Sequence, residues 1–233
     1  MLWFAAAWAH TCEDIELAEL VDQPSPAVII LGERHGEKAD MKRARAVVRA
    51  LAAKAPVTLA MEAIHEKNQP VIQSYAAGEI KLRKLEDELN WSKTWGFNWK
   101  AYKKLVAASD EGVPVVAAGL DLGPKPEEQE LELPEGYHDF LMEAMEGNGH
   151  EMSDEIKARF ATSMAWRDFR IAELAINGWD NKGYLVILVG RGHVEGSMGT
   201  NWQAAKRVQV PVISAVLDHG DARCLDGDRV WAE

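Results

Sequence analysis

The sequence predicts an α/β protein with a mostly parallel central β-sheet flanked by helices and a smaller helical insertion. Continuous apolar runs at residues 28–31, 57–61 and 185–189 are typical of strands buried on both faces. Amphipathic segments of helical spacing separate these runs, which is the order expected for parallel βαβ units. We therefore expect the 233 residues to form one α/β domain.

The segment after the first run shows the helical pattern most clearly. Its apolar residues recur every three or four positions, at Met41, Ala44, Val47, Val48 and Leu51. This spacing predicts a helix that covers the sheet. Further helices are predicted at 68–77, 80–89 and 99–109, and further strands at 113–118, 210–217 and 229–231.

Residues 123–152 differ from the rest in composition. They contain many glutamates and three prolines, and predict an acidic helical insertion with one short helix near 139–145. Ser153 then provides an N-cap for a long helix that reaches about residue 177, with Asp154 and Glu155 in its first turn.

The charge of the chain limits its partners. A formal net charge of -11 and a pI near 5.2 argue against nucleic acid and anionic membranes, because both need a basic surface. No apolar run reaches the roughly 18 residues of a membrane-spanning helix, so no span is predicted.

The sequence leaves the cellular compartment open. Residues 2–9 are apolar and end in Ala7-Trp8-Ala9, which has the form of a signal-peptidase site, but no Lys or Arg precedes them. We expect a periplasmic or exported protein if this stretch is a signal remnant, and a cytoplasmic protein otherwise. Cys12 and Cys224 are compatible with one disulfide or with two free thiols.

Two glycine-flanked histidine motifs follow predicted strands. Gly32-Glu33-Arg34-His35 follows the first apolar run, and Gly190-Arg191-Gly192-His193 follows the third. Glu62 follows the second run. The carboxyl ends of parallel strands share one edge of the sheet, so we expect His35, Glu62 and His193 to converge in a crevice there.

Histidine and glutamate in one crevice suit metal binding or acid–base chemistry. We predict that His35 and His193 bind a divalent metal ion, that Glu33 is either a further metal ligand or an orienting group, and that Glu62 is a general base acting on water. In this hypothesis His35 and His193 belong to the catalytic set, either as ligands or by polarising the scissile carbonyl. Each histidine alone has a common structural alternative, which is hydrogen bonding within the fold.

Other residues are candidates for binding. Arg191 is placed to hold a substrate carboxylate or a haem propionate, or is a solvated loop charge. Arg167 and Asp168 interrupt the apolar stripe of the long helix, so they either form an internal ion pair or Asp168 orients or charges the site. Trp95 and Trp99 are among nine tryptophans, which line a flat apolar pocket or fill the core.

The ordered set of motifs resembles a known family. Leu31 to His35, Leu59 to Glu62, the Trp95/Trp99 segment, Met164 to Asp168, and Gly190 to His193 followed by Gly199 are similar to motifs of the ChaN-like haem-binding uptake proteins of the Tiki and erythromycin-esterase superfamily. The resemblance covers about residues 28–216 and implies a parallel sheet with a smaller helical part.

Two functions follow as alternatives. The resemblance to metal-dependent Tiki peptidases and to erythromycin esterases implies histidines and a glutamate at His35, Glu62 and His193. The first hypothesis is accordingly a metal-dependent hydrolase that cleaves an ester or amide bond in a small molecule or peptide. The alternative is a haem-binding protein of iron uptake, which holds haem between aromatic surfaces, with a homodimer as one arrangement.

Overall fold

A seven-stranded parallel sheet forms the centre of the protein. The computed structural model describes residues 12–120, 131–146, 153–225 and 227–232. The strands are β1 (Glu13–Asp14), β2 (Ala27–Glu33), β3 (Val57–His65), β4 (Val115–Gly119), β5 (Tyr184–Gly190), β6 (Val212–Leu217) and β7 (Arg229–Trp231). Their order across the sheet is β1-β7-β6-β2-β5-β3-β4, and all neighbouring strands are parallel. The predicted α/β fold class is confirmed.

Helices cover the sheet along the described chain. They are α1 (Leu17–Val21), α2 (Lys38–Ala52), α3 (Gln69–Ala76), α4 (Leu82–Glu88), α5 (Trp91–Thr94), α6 (Trp99–Val106), α7 (Tyr137–Glu146), α8 (Asp154–Asn177) and α9 (Thr200–Ala205). The apolar stripe predicted for α2 is buried. Ser153 caps α8, since its hydroxyl oxygen accepts a hydrogen bond from the Ile156 amide at 3.4 Å. The short elements β1, α1 and α5 were not predicted, because elements of two to five residues carry too little periodicity.

The central strands account for the apolar runs. Every residue of β2, β3 and β5 is buried, as expected for strands covered on both faces. β3 continues four residues beyond the predicted end, so Glu62 lies within the strand and not after it. The register between β3 and β4 shifts between Met61 and His65, and this irregularity adjoins Glu62.

Parts of two predicted regions lie outside the described residues. The short helix of the acidic insertion is present as α7. Residues 121–130 and 147–152, and the apolar stretch at 2–9, are outside the described part of the chain. No helix within the described ranges is both long and apolar enough to cross a membrane.

The structure decides the state of the two cysteines. Cys12 and Cys224 form a disulfide, with Cα atoms 5.4 Å apart. The bond joins the chain before β1 to the loop before β7, and thus ties the two ends of the described chain together at one edge of the sheet.

Candidate active site

Three adjacent strands bring the predicted histidines and glutamate together. His35 follows β2, Glu62 lies near the end of β3, and His193 follows β5, which runs between β2 and β3 in the sheet. His193 Nε2 is 3.3 Å from Glu62 Oε1, and His35 borders the same cleft. The carboxyl edge of the sheet therefore carries all three side chains.

His35 is held by a buried carboxylate. Glu33, at the end of β2, is 2% exposed, and its Oε1 accepts hydrogen bonds from His35 Nδ1 at 2.7 Å and from the Tyr102 hydroxyl at 2.8 Å. The Tyr102 oxygen in turn accepts a bond from the Gly36 amide at 2.8 Å. His35 Nε2 has no hydrogen bond to a described residue, and 32% of the His35 side chain is exposed. This nitrogen is therefore available to a ligand.

Aromatic rings and one glycine fix the plane of His35. The Trp95 ring centroid is 4.6 Å from that of His35 in an edge-on contact, and the Phe97 ring is 5.2 Å away. The other side of the imidazole packs on Gly190. A Cβ at Gly190 would lie 2.5 Å from His35 Cε1, so only glycine allows this close approach.

A second histidine–carboxylate pair lies deeper. His193 Nδ1 donates to Asp168 Oδ1 at 2.7 Å, and both side chains are almost completely buried. Asp168 also accepts bonds from Thr200 Oγ1 at 2.9 Å and from the Tyr137 hydroxyl at 2.8 Å. Asp168 thus orients His193, because its carboxylate fixes the tautomer and the plane of the ring.

Glu62 connects the two histidine pairs, and both of its oxygens are engaged. Oε2 accepts the Gly190 amide at 2.7 Å, while Oε1 accepts Arg167 Nη2 and also faces His193 Nε2. The Glu62 side chain is 1% exposed. A buried carboxylate needs such compensation, and here two cations and a backbone amide supply it.

The buried charges shift the ionisation of these groups. Burial alone would raise the pKa of Glu62, but the charges of His193 and Arg167 and the hydrogen bond from His193 lower it well below 4.5. Burial alone would lower the pKa of His193, but Glu62 and Asp168 raise it to about 10. At neutral pH, Glu62 is consequently a carboxylate and His193 an imidazolium.

The pair nearer the solvent behaves differently. Burial raises the pKa of Glu33, although the hydrogen bond and the charge of His35 oppose this shift. For His35, the effect of burial is outweighed by the hydrogen bond to Glu33 and the charge of Glu62, so its pKa lies above 6.5. Burial and the charge of Glu33 raise the pKa of Tyr102, which therefore stays a neutral hydrogen-bond donor.

Two cavities meet at His35, Glu62 and Arg167. The first, of about 230 Å³, is bordered by Trp95 and Phe97 together with polar side chains. The second, of about 290 Å³, is bordered by residues of both histidine motifs. The imidazole of His35 thus lies at the junction of the two clefts.

The sequence around this site identifies its family. The family model for haem-binding uptake proteins of the Tiki superfamily, ChaN, matches residues 22–204. The chain belongs to this family. The matched range includes β2, β3, β5 and every side chain of the site described above. Comparison with curated proteins gives no match.

Solved structures share the fold of this family member. ChaN of Campylobacter jejuni, described with cofacial haem binding, superimposes with a TM-score of 0.70 at 18% identity, over 88% of this chain and 85% of that one. The type III effector HopBA1 gives a TM-score of 0.59 at 13% identity, over 88% and 86% of the two chains. The C-terminal region of Pasteurella multocida toxin, described with a thiol-protease like catalytic triad, gives 0.50 at 14% identity, over 88% of this chain and 25% of that one. At these identities the likeness establishes the fold.

The structure does not show the predicted metal site. Within the described residues, no set of three His, Cys, Asp or Glu side chains is placed to hold a metal ion. Nδ1 of His35 and of His193 each contact a carboxylate, and Nε2 of His193 faces Glu62. The structure thus does not show a divalent-metal site at His35, His193 and Glu33.

Two predicted binding residues are placed differently from expectation. Trp99 is 8% exposed and packs in the core, with its ring 5.0 Å from that of Trp91, so it does not line the cleft. Arg191 borders the second cavity, but its guanidinium pairs with Asp221 Oδ1 at 2.6 Å and with Glu195 Oε1 at 3.1 Å. Trp95, in contrast, lies beside His35 and borders the cleft.

Sequence reasoning did not identify three residues that hydrogen-bond to the carboxylates of the site. Arg167 was recognised only as an interruption of the stripe of α8, together with Asp168. Tyr102 and Tyr137 gave no signal that separates them from packing residues, because each donates to a carboxylate in a remote part of the chain. The charged pair within the apolar stripe was the one usable signal for Arg167.

Proposed function

We propose that this protein is a hydrolase that cleaves an ester or amide bond with His35 as its general base. One observation carries the proposal: Nε2 of His35 borders the cleft while Nδ1 is hydrogen-bonded to buried Glu33. The buried, oppositely charged Glu62 and His193 border the same cleft. This is the arrangement that an orienting carboxylate gives to a catalytic imidazole.

The base step uses His35 and its partner. Nε2 takes a proton from a water molecule as the water oxygen forms a bond to the substrate carbonyl carbon. Glu33 stabilises the imidazolium that results, because its carboxylate accepts the hydrogen bond from Nδ1–H. When the C–O or C–N bond breaks, the same Nε2 returns its proton to the leaving group.

Arg167 is the candidate for stabilising the negative carbonyl oxygen in the transition state. Its guanidinium borders both cavities, and its hydrogen bond to Glu62 uses Nη2 only. The planar fork of arginine has further N–H donors that can reach a substrate oxygen. Glu62 accepts the hydrogen bond from Arg167 and holds the guanidinium in place, so it acts as a positioning residue.

This proposal revises the role expected for Glu62. A general base needs a free lone pair directed at the water, whereas both oxygens of Glu62 already accept hydrogen bonds. Its lowered pKa also makes it a weak base. His35 satisfies both requirements better, and the steps above use only side chains of this chain.

Substitution of His35 tests the proposal. Chromogenic esters and quenched fluorescent peptides would be screened for turnover, and His35→Ala is expected to reduce kcat by about 10²- to 10⁴-fold. The matched control is His138→Ala, an exposed histidine on α7. Equal turnover in wild type and His35→Ala would refute the assignment, as would the same loss in the control.

The pH dependence gives a second readout. The base must be neutral, and the pKa of His35 is raised by Glu33, so kcat/KM should rise with pH through a value above 6.5. Glu33→Gln removes this carboxylate and should move the rise to lower pH. A rise unaffected by Glu33→Gln would assign the titration to another group.

Haem binding is a second candidate, and one local feature favours it. The free Nε2 of His35 lies beside Trp95 and beside Phe97, which is 40% exposed, and the Nδ1 contact to Glu33 is the usual support of a metal-binding histidine. These residues fit an axial ligand and an apolar wall for haem, and the family is one of haem-binding uptake proteins. Bound haem would supply an iron centre there.

The buried charges rank hydrolysis above haem binding. An axial ligand requires His35 alone, which leaves Arg167, Glu62, His193 and Asp168 without a role. Burying these four ionisable groups costs stability, and such clusters are typical of catalytic sites. Arg167→Lys should therefore impair hydrolysis strongly but leave the Soret shift on haem titration unchanged, whereas His35→Ala should remove both.

A further inference from the structure

A basic groove lies between α2 and α6, separate from the site around His35. Its cations are Lys38, Lys42, Arg45 and Arg49 on α2, and Lys100 and Lys104 on α6. The four positions on α2 are spaced by four, three and four residues, so they form one stripe along the helix. We call this surface the α2–α6 groove.

The α2–α6 groove is concave and has an apolar floor. Its main cavity has a volume of about 380 Å³, and the floor is formed by Met41, Ala46, Ala101 and Leu105. A smaller cavity of about 110 Å³ continues it past Arg45 and Arg49 toward Val48 and Val113. The two cavities share Arg45, Arg49 and Lys104, so cations from both helices line them.

Only one carboxylate among the groove-lining residues offsets these cations. Glu111 pairs with Arg45 and lies 3.7 Å from Arg49 Nε, whereas the four lysines form no ion pair with any described residue. The chain as a whole carries a formal charge of -11. Positive charge is therefore concentrated in the groove of an otherwise acidic protein, which attracts an anionic ligand.

The i,i+4 spacing of the cations is unfavourable to the helices. Lys38 and Lys42, Arg45 and Arg49, and Lys100 and Lys104 are each like-charge neighbours at i,i+4. Such pairs destabilise a helix by about 0.2–0.5 kcal/mol each. A ligand of opposite charge would relieve this repulsion, and Glu111 shows that the groove accepts a carboxylate from outside α2.

We propose that the α2–α6 groove docks an acidic peptide segment of a partner protein. A peptide offers carboxylates for the rims and apolar side chains for the floor, whereas a phosphodiester chain offers no aliphatic groups. A long nucleic acid would also extend over the acidic remainder of the surface, and a flat membrane cannot enter a concave groove.

The dimensions fit a short segment. Lys38 and Arg49 are 11 positions apart on α2, so the stripe is about 16 Å long at ~1.5 Å per residue. An extended peptide covers this length with about five residues. The occupant is therefore a linear acidic motif and not a whole domain face.

A labelled peptide tests the proposal on the full chain. The probe is a fluorescein-labelled peptide of eight alternating glutamate and leucine residues, and anisotropy gives its Kd at low and high salt. We expect saturable binding that weakens with salt, and a loss of about tenfold or more in the double variant Lys42→Glu/Lys104→Glu. Both lysines are exposed, and unchanged thermal unfolding would verify the fold of the variant.

Matched controls make the result decisive. Arg83→Glu/Lys84→Glu changes the charge equally on exposed positions of α4 and should alter Kd by less than about twofold. The proposal is overturned if wild type does not bind the peptide, if both double variants weaken it equally, or if neither does. Tighter binding of a labelled single-stranded DNA of the same charge at the same groove would also overturn it.

Discussion

Replacing Gly190 with alanine tests whether the position of His35 controls the site. Gly190 ends β5 in extended backbone, with φ -60° and ψ 142°, which alanine also adopts. The new Cβ would lie 2.5 Å from His35 Cε1 and 2.8 Å from Nε2. Since carbon atoms in contact are about 3.5 Å apart or more, the ring must move by about 1 Å.

The cost of this movement follows from the contact with Glu33. The Nδ1–Oε1 distance is 2.7 Å, so a shift of about 1 Å takes the pair beyond hydrogen-bond distance. A hydrogen bond to a charged group contributes about 1.5–3 kcal/mol, and a misplacement of 1 Å can lower turnover by about 10²-fold. We therefore expect a large loss of activity with a smaller loss of stability.

Two measurements report this change. Turnover of the substrate found by screening should fall by about 10²-fold. The pKa of His35, followed by NMR of its imidazole, should fall toward 6.5 because the contact with Glu33 raises it in the native protein. Gly192→Ala is the matched control, since a Cβ at Gly192 would meet no atom within 4 Å.

Retention of both wild-type turnover and the wild-type His35 pKa in Gly190→Ala would refute the argument, because the ring would then not depend on its contact with Glu33. An equal loss in Gly192→Ala would assign the effect to the loop as a whole.

Three further predictions concern stability. The pKa of His193 is raised to about 10, so the stability contributed by its charge is complete below pH 6.5 and is lost as the pH rises toward 10; urea unfolding over this range should show the decline, and a flat profile would contradict it. Asp168→Asn removes one of the two buried carboxylates that face His193 and should lower the free energy of unfolding by about 3 kcal/mol at neutral pH, with a much smaller loss arguing that His193 is neutral there. Reduction of the Cys12–Cys224 disulfide should cost about 2–4 kcal/mol in the same assay, whereas Cys12→Ser/Cys224→Ser should be equally weakened and insensitive to reductant.

The sequence alone determined strands β2 to β7, most of the helices and the edge of the sheet where the site lies. Runs of apolar residues specify β2, β3 and β5 because burial on both faces is a property of the run itself. The positions of His35 and His193 after strands follow from the same pattern. The sequence pattern did not predict that β3 continues to His65, because Glu62 can lie in a buried strand only when distant groups compensate its charge.

Only the tertiary structure decided which group has a free nitrogen or oxygen. Glu62 accepts hydrogen bonds from Arg167, which is 105 positions away in the sequence, and from the Gly190 amide, which is 128 positions away. Glu33 accepts one from Tyr102, which is 69 positions away. These contacts occupy the oxygens of Glu62 and leave Nε2 of His35 open, so they set the roles that the residue types left undetermined.

For the charge distribution and the disulfide, too, the sequence determines one part and the tertiary structure the other. The net charge is a sum over the sequence, but the α2–α6 groove exists because two helices align their cations across one channel. Likewise, the sequence supplies Cys12 and Cys224, and the fold brings their Cα atoms to 5.4 Å. Secondary structure depends mainly on neighbours along the chain, whereas ionisation, pairing and local electrostatic potential depend on distances in space, which only packing establishes.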